Sequence, residues 1–469
     1  MKRLFGILLL VLLLISCNHA GRQVKSVAPQ TLNSDQARIT LYLDTLDKSG
    51  VDLSFRLLSV ELKGSSAWQV LNLEKTRVNR RAAEKSQLLL GVAPLQVDVY
   101  TRLRLTVSEV KKGGVELLPD GAERELELIL TAPLVLTPES SHCLFIEWHG
   151  LASPLVNGDF FATFVARPQR RPQVTDLVTV LCRNLATVYQ ISPDKNRVIA
   201  ALGLPQKVGE IAFDSRRRRF YAVVTADRTL LKYDAVTNRL LDSMAMPQAV
   251  APKSLVLSLD GRYAYISDTP ANRVIKIDVE SGFIERETGK HLRPGRLFYF
   301  PGNTGDLLAV LAPSESAVYL LDAESLKTRF ILPVNGRPAG IARVKKYLYV
   351  SDYSSDKVAL YSLENGRLIA LIRVGRAPLD LLADSNRVYA SVSMESFLAL
   401  LMPPQVTPTR RIRCRFRPES LAISRNWRKI YVAGRDAAAV AVIDLQAGTG
   451  LGVIPLPGHP DQIILWEPF

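Results

Sequence analysis

From about residue 176 to the C-terminus, apolar and polar positions alternate in short strand-length segments, and the whole pattern recurs. The clearest copy is RPAGIARVKKYLYVSDYSSDKVALYSLENGRLIALIRVG, residues 337–375. An apolar strand after a proline is followed by a basic turn, a Tyr-rich strand, a polar loop, a strand ending in an acidic or polar turn, and a last β-branched strand. Anchoring each copy on the middle of its second strand gives Thr179, Tyr221, Tyr265, Ala309, Tyr349, Tyr389 and Tyr431, spaced 42, 44, 44, 40, 40 and 42 residues apart. Nine residues beyond each anchor stands an apolar residue: Val188, Leu230, Val274, Val318, Val358, Leu398 and Val440. The proline opening the first strand keeps the same beat at Pro252, Pro294, Pro338, Pro378, Pro418 and Pro460. A period of 40 to 45 with four short strands per unit predicts β-propeller blades, here seven. A single four-stranded blade cannot bury both of its faces, so the ring must close.

Closure is also legible. HPDQIILWEPF at the C-terminus matches a blade's first strand but has no second strand after it. The first blade begins at Leu177 with its second strand and lacks a first. Placing residues 461–466 into the first blade as its innermost strand removes both unpaired edges. YVSD (349–352), YISD (265–268) and YVAG (431–434), with the flanking VIKIDVESG and VAVIDLQAG, resemble the core of the YVTN β-propeller repeats. That resemblance covers about 290 residues and implies the fold. It does not name an activity, because such propellers serve in surface binding proteins, lactonase-like enzymes and redox proteins.

Residues 37–167 have another texture. Segments such as ARITLYLD, LSFRLLSVELKG, YTRLRLTVSEVK and ERELELILTAPLVL alternate with turns every 8 to 15 positions, predicting an antiparallel β-sandwich. The order of features is similar to a family of bacterial lipoprotein β-domains of unknown function. The predicted architecture is therefore all-β: a sandwich, a Pro- and Arg-rich linker at 168–175, and a propeller over 176–469.

The N-terminus carries a targeting pattern. Lys2 and Arg3 precede an apolar run from Leu4 to Ile15, too short for a permanent span but suited to a signal segment. The run ends at Leu14-Ile15-Ser16-Cys17, which resembles the lipobox of bacterial lipoprotein signals. The resemblance implies cleavage of residues 1–16, lipid on Cys17, and attachment to a membrane through that lipid. Asn18 rather than Asp after the cysteine favours the outer over the inner membrane, and the polar residues 17–36 read as a flexible tether.

The formal charge of +15 becomes +13 without Lys2 and Arg3, which favours anionic partners. An exported chain rarely meets nucleic acid, so none is expected; an anionic envelope surface or a protein is. Cys143, Cys182 and Cys414 each lie in an apolar strand-like run and read as buried free thiols. The histidines have no ligand spacing, so no haem or His-based metal site is expected.

Two places could carry chemistry. Positions two after each strand-opening proline, with Glu210 at the same place in the second blade, form one ring at the channel mouth: Glu210, Ser254, Arg296, Gly340, Asp380, Ser420 and Gln462. Lactonase-like propellers hold a divalent metal with carboxylates and Asn in such a ring. Here an inward Arg296 opposes a cation and more naturally pairs with Glu210 and Asp380. The ring admits three descriptions: polar residues holding water, a small polar ligand site, or a metal centre. The second place is the set of turns joining first to second strands, which carries Arg216, Arg217, Arg218, Arg219, Arg262, Lys345, Lys346, Arg387, Arg428 and Lys429. One propeller face should therefore be basic, with Asp268 and Asp352 on the other. No nucleophile–His–acid set, phosphate loop or CxxC is present, so no catalytic residue, metal or cofactor is assigned. The expectation is a membrane-anchored binding or scaffolding module; the alternative is a metal-dependent lactonase-like or lyase-like enzyme at the channel mouth.

Overall fold

The computed structural model describes residues 32–45, 52–149, 155–156, 159–160, 163–169, 176–289, 292–302 and 305–466. The signal segment, Cys17 and most of the linker lie outside them.

Seven four-stranded antiparallel sheets follow one another from Leu177. Blade 2 opens with Val208–Asp214, blade 3 with Pro252–Leu257, blade 4 with Leu297–Phe300, blade 5 with Pro338–Val344, blade 6 with Pro378–Asp384 and blade 7 with Pro418–Ser424. Blade 1 takes its innermost strand from the far end of the chain: Gln462–Trp466 pairs antiparallel with Leu177–Cys182. The predicted closure is thus what the chain does. Asp461 pins it, its carboxylate accepting from the Arg183 N–H at 2.7 Å, and Trp466 is fully buried against Phe213. All seven anchor residues, from Thr179 to Tyr431, are buried in the middle of second strands.

The turns explain why the period is so regular. The Asp ending a third strand accepts the N–H groups two and three residues on. Asp234 does so from Val236 and Thr237, Asp278 from Glu280 and Ser281, and Asp444 from Gln446 and Ala447. The next residue turns left-handed, at Asn238, Gly282 and Gly448, where Asn and Gly cost least. This local chemistry recurs in phase because it depends only on residues a few positions apart.

Residues 36–168 depart from expectation. Ten of their strands form one sheet whose path curls toward a near-barrel around a single core, rather than two antiparallel sheets face to face, and Leu155–Val156 pairs with Asp159–Phe160 apart from it. Two neighbouring pairs are parallel: Gln36–Thr45 with Ser141–His149, and Arg124–Val135 with Thr163–Pro168. Alternating hydrophobicity marks one face of each strand as buried, which both arrangements satisfy; it carries no information on strand direction. Trp148, Phe55 and Phe164 meet at ring distances of 5.2 to 5.9 Å in that core.

This domain is packed directly on blades 1 and 7. Tyr42, Leu89, Cys143 and Phe145 share a core with Tyr189, Val198, Ala201 and Tyr431. Buried polar groups cross the same seam: Gln87 donates to the Val198 carbonyl and accepts from its N–H, and Thr40 bonds Tyr189 at 3.0 Å. Arg197 pairs with Asp44 at 2.9 Å. Gly203 is required there, since a Cβ would lie 2.7 Å from the Glu139 carbonyl and 2.8 Å from the Ser141 nitrogen. Cys143, Cys182 and Cys414 are buried free thiols, and burial pushes their pKa up, to about 12 for Cys414.

Candidate functional site

The ring of inner-strand residues is built by a repeated irregularity. In blades 2, 3, 5, 6 and 7 the register between first and second strands slips around the residue two after the strand opening. The slip frees a backbone N–H, which must find another acceptor. The serine of the YVSD-type motif supplies it: Ser267 accepts from Ser254, Ser351 from Gly340 and Ser391 from Asp380. The motif's aspartate has the companion task. Asp268 accepts from the Val250 and Ala251 N–H groups, and Asp352 from that of Arg337. Both aspartates are buried, so they cap loops and do not form the expected acidic face.

The ring side chains staple each blade to the next. Glu210 accepts from the Ser254 hydroxyl at 2.6 Å and the Leu255 N–H at 3.1 Å. Ser254 accepts from the Leu297 N–H, Asp380 from that of Leu421, Ser420 from that of Ile463, and Gln462 from that of Ile211. In five of the seven blades the pattern is the same: a ring side chain takes the N–H following the ring residue of the next blade. Gly340 has no side chain to contribute; the Leu379 carbonyl comes to 2.3 Å of where its Cβ would be. Arg296, which has no lone pair to offer, instead donates to the Ala339 carbonyl of the next blade at 3.3 Å.

Arg296 also crosses the channel. Its guanidinium lies 3.2 Å from Asp380 of blade 6 and 3.7 Å from Glu210 of blade 2, over the Phe298 ring. Burial pulls its pKa down, but Asp380 and Glu210 outweigh that and hold it above its ordinary value, so it stays charged. The two carboxylates are thus brought together by a fixed cation. No group of three or more His, Cys, Asp or Glu placed to hold a metal occurs among the described residues.

The guanidinium divides the channel. Toward the strand 1–2 turns lies a space of about 480 Å³, walled by Phe213, Leu257, Phe298, Phe300 and Ile464. Toward the loops that connect successive blades lies one of about 380 Å³ with a different lining: Lys253, Arg296, Arg337, Arg435, Tyr353 and Glu419 among others. Arg337, Lys253 and Arg435 were not singled out from the sequence. The available signal was the basic residue beside a strand-opening proline, as in Arg337-Pro338 and Pro252-Lys253.

The ten basic-turn residues do share one end of the blades, but much of their charge is matched. Arg217 pairs with Asp214, Arg219 with Asp234, Arg262 with Asp278 and Lys346 with Glu364, at 3.1 to 3.5 Å. Arg428 donates to Gln446, and Lys429 to Asn196 and the Pro193 carbonyl. Arg216, Arg218, Lys345 and Arg387 are left as cations with no side-chain partner among the described residues. Asp214 ends the first strand of its own blade; the other partners lie in strand 3–4 turns at the same end of the ring.

No family model and no curated protein matches the chain. Solved structures do match, as folds. A functionally unknown protein from Desulfotomaculum acetoxidans superposes with a TM-score of 0.56 at 11% identity, over 62% of this chain and 99% of that one. Dihydro-heme d1 dehydrogenase NirN in complex with DHE gives 0.48 at 13% identity, over 63% and 77%. The β-propeller domain of Myceliophteria thermophila Cps50 (Swd1) gives 0.47 at 14%, over 55% and 88%.

Proposed function

We propose that this chain is a lipid-anchored envelope protein, tethered through Cys17 to the outer membrane, whose propeller is a binding or scaffolding module. The observation that carries the binding-module half is the state of the channel ring. Glu210 and Asp380, the two carboxylates a metal-dependent lactonase or lyase would need, are held by Arg296 and by inter-blade hydrogen bonds. Their lone pairs are spent on holding the ring rigid. A rigid ring packed on a second domain is suited to presenting surfaces rather than to reorganising around a reaction. The four unpartnered cations on the strand 1–2 turn face add attraction to an anionic envelope surface, weakening as salt screens it.

Two measurements test this. The full chain and a Cys17→Ser variant are fractionated after expression with radiolabelled palmitate; label and membrane association should both vanish in the variant. Retention of both would refute the anchor. Calorimetric titration of the chain with calcium and magnesium should give no tight stoichiometric uptake. Uptake abolished by Glu210→Ala or Asp380→Ala would instead support the metal-dependent enzyme.

A further inference from the structure

The half-enclosed space on the loop side of Arg296 has a charge imbalance that the ring does not need. Arg296 itself is paired with two carboxylates, Glu210 and Asp380. The other cations of the lining are Lys253 of blade 3, Arg337 of blade 5 and Arg435 of blade 7. Lys253 and Arg337 make no ion pair among the described residues. Arg435 donates to the Ser393 hydroxyl at 3.3 Å, lies over the Tyr353 ring, and is close enough to Glu419 to favour its ionised form. The remaining carboxylate of the wall, Glu419, faces His459 at 3.9 Å; burial raises its pKa against the opposing pull of His459 and Arg435. Four cations from four blades therefore face one concavity against three carboxylates, Glu210, Asp380 and Glu419, which leaves it net positive.

The backbone that carries two of these cations is held in place. The backbone at Arg337 is fixed by Asp352, which accepts its N–H at 2.9 Å, and by the proline after it. Arg435 donates its own N–H to the Arg417 carbonyl, and its guanidinium is oriented by Tyr353. Guanidinium forks suit carboxylate and phosphate oxygens, and a low-dielectric concavity focuses the field of its walls. Leu311, Pro313 and Leu379 supply an apolar side to the same space. Its volume, about 380 Å³, matches a small molecule and not a folded partner.

We propose that the channel mouth on the blade-connecting-loop side is a binding site for a small organic dianion, two carboxylates or a phosphate monoester carried on a compact apolar frame. Arg337, Arg435 and Lys253 take the anionic oxygens, and Leu311, Pro313 and Leu379 take the frame. The site gives the binding-module assignment a ligand class, and it rests on that assignment. It lies at the opposite end of the channel from the basic turn face, so docking of that face to an envelope surface can fail while this site stands.

The test is calorimetry on the full chain at low salt with phthalate, phenyl phosphate and inorganic phosphate, and with benzoate and benzyl alcohol as the singly charged and neutral comparisons. Phthalate and phenyl phosphate should saturate one site at submillimolar concentration, benzoate should bind about tenfold more weakly, and benzyl alcohol not measurably. Arg337→Gln and Lys253→Gln alter side chains that make no described contact, so both variants should fold with an unchanged thermal midpoint. Each should weaken the dianions by about tenfold, the effect of one lost charge-assisted contact. Arg216→Gln, on the other face, should change nothing. Absence of saturation by either organic dianion at millimolar concentration overturns the site, as does affinity unchanged in Arg337→Gln. Inorganic phosphate binding as tightly as phenyl phosphate removes the organic frame from the proposal.

Discussion

Replacing Arg296 by Met removes the one cation shared by Glu210 and Asp380, and the structure sets the size of the penalty. Stripping one partner from a fully buried ion pair typically costs about 3–5 kcal/mol, because the charge left behind is uncompensated. Two features lower that here. Glu210 keeps the Ser254 hydroxyl and the Leu255 N–H, and Asp380 keeps the Leu421 N–H. The Arg296 side chain is 39% exposed, to channel space, against 12% and 9% for its partners, so water already screens part of the pair. A loss of about 2–3 kcal/mol follows. The cation–π contact with Phe298 adds little to this, since a thioether packs on the same ring. At about 2 °C per kcal/mol for a domain of this size, the melting midpoint should fall by about 4–6 °C in scanning calorimetry. The decisive comparison is with the triple variant Arg296→Met, Glu210→Gln, Asp380→Asn, which removes all three charges and should regain most of the loss. A single variant as stable as the parent, or a triple variant no better than the single, would refute the account of Arg296 as the ring's counter-ion.

Other consequences are equally direct. Trp466→Ala, in the strand that closes blade 1, empties a fully buried site and should cost about 3–5 kcal/mol by urea titration, while a chain ending at residue 460 should expose blades 1 and 2 to protease. The Asp322 carboxyl is destabilised by burial, but the Ser325 N–H and hydroxyl and the Arg329 guanidinium prevail and lower its pKa to about 2. A folded-state pKa below the unfolded one means its stabilisation is whole above about pH 4 and disappears as pH falls toward 2, so Asp322→Asn should flatten the loss of melting midpoint across that window. Gly203→Val forces a side chain against the Glu139–Ser141 backbone and should split a single calorimetric transition into two as the N-terminal domain separates from blade 1. One transition with an unshifted midpoint would show that the seam does not couple the two domains.

Much of the fold could be read from the residues because it is made of local chemistry. The Asp-capped turn, the left-handed Asn or Gly after it and the serine and aspartate of the YVSD-type motif involve partners within about one strand of each other. Such chemistry imprints a period, and a period implies blades, their number and the need to close. Even the closing strand was legible, because a first strand without a second at one end and a second without a first at the other admit one economical pairing. Direction within the N-terminal sheet was not legible, since parallel and antiparallel neighbours bury the same face of the same strand.

The chemistry of the channel was settled only by three-dimensional placement. Arg296 and Asp380 are 84 residues apart, and the side chain of Arg38 reaches the Leu185 carbonyl across 147 residues of chain. The ring positions could be named from the sequence, but not that their polar atoms would be consumed in stapling blade to blade. Nor could it show that Lys253, Arg337 and Arg435 would meet at one mouth where cations outnumber acids. By itself the sequence determined a repeating unit and a closed ring, because those follow from near-neighbour geometry and from burying edges. Which charges cancel and which remain exposed in a concavity depends on distances across the ring, and only the closed tertiary structure brings those groups within reach.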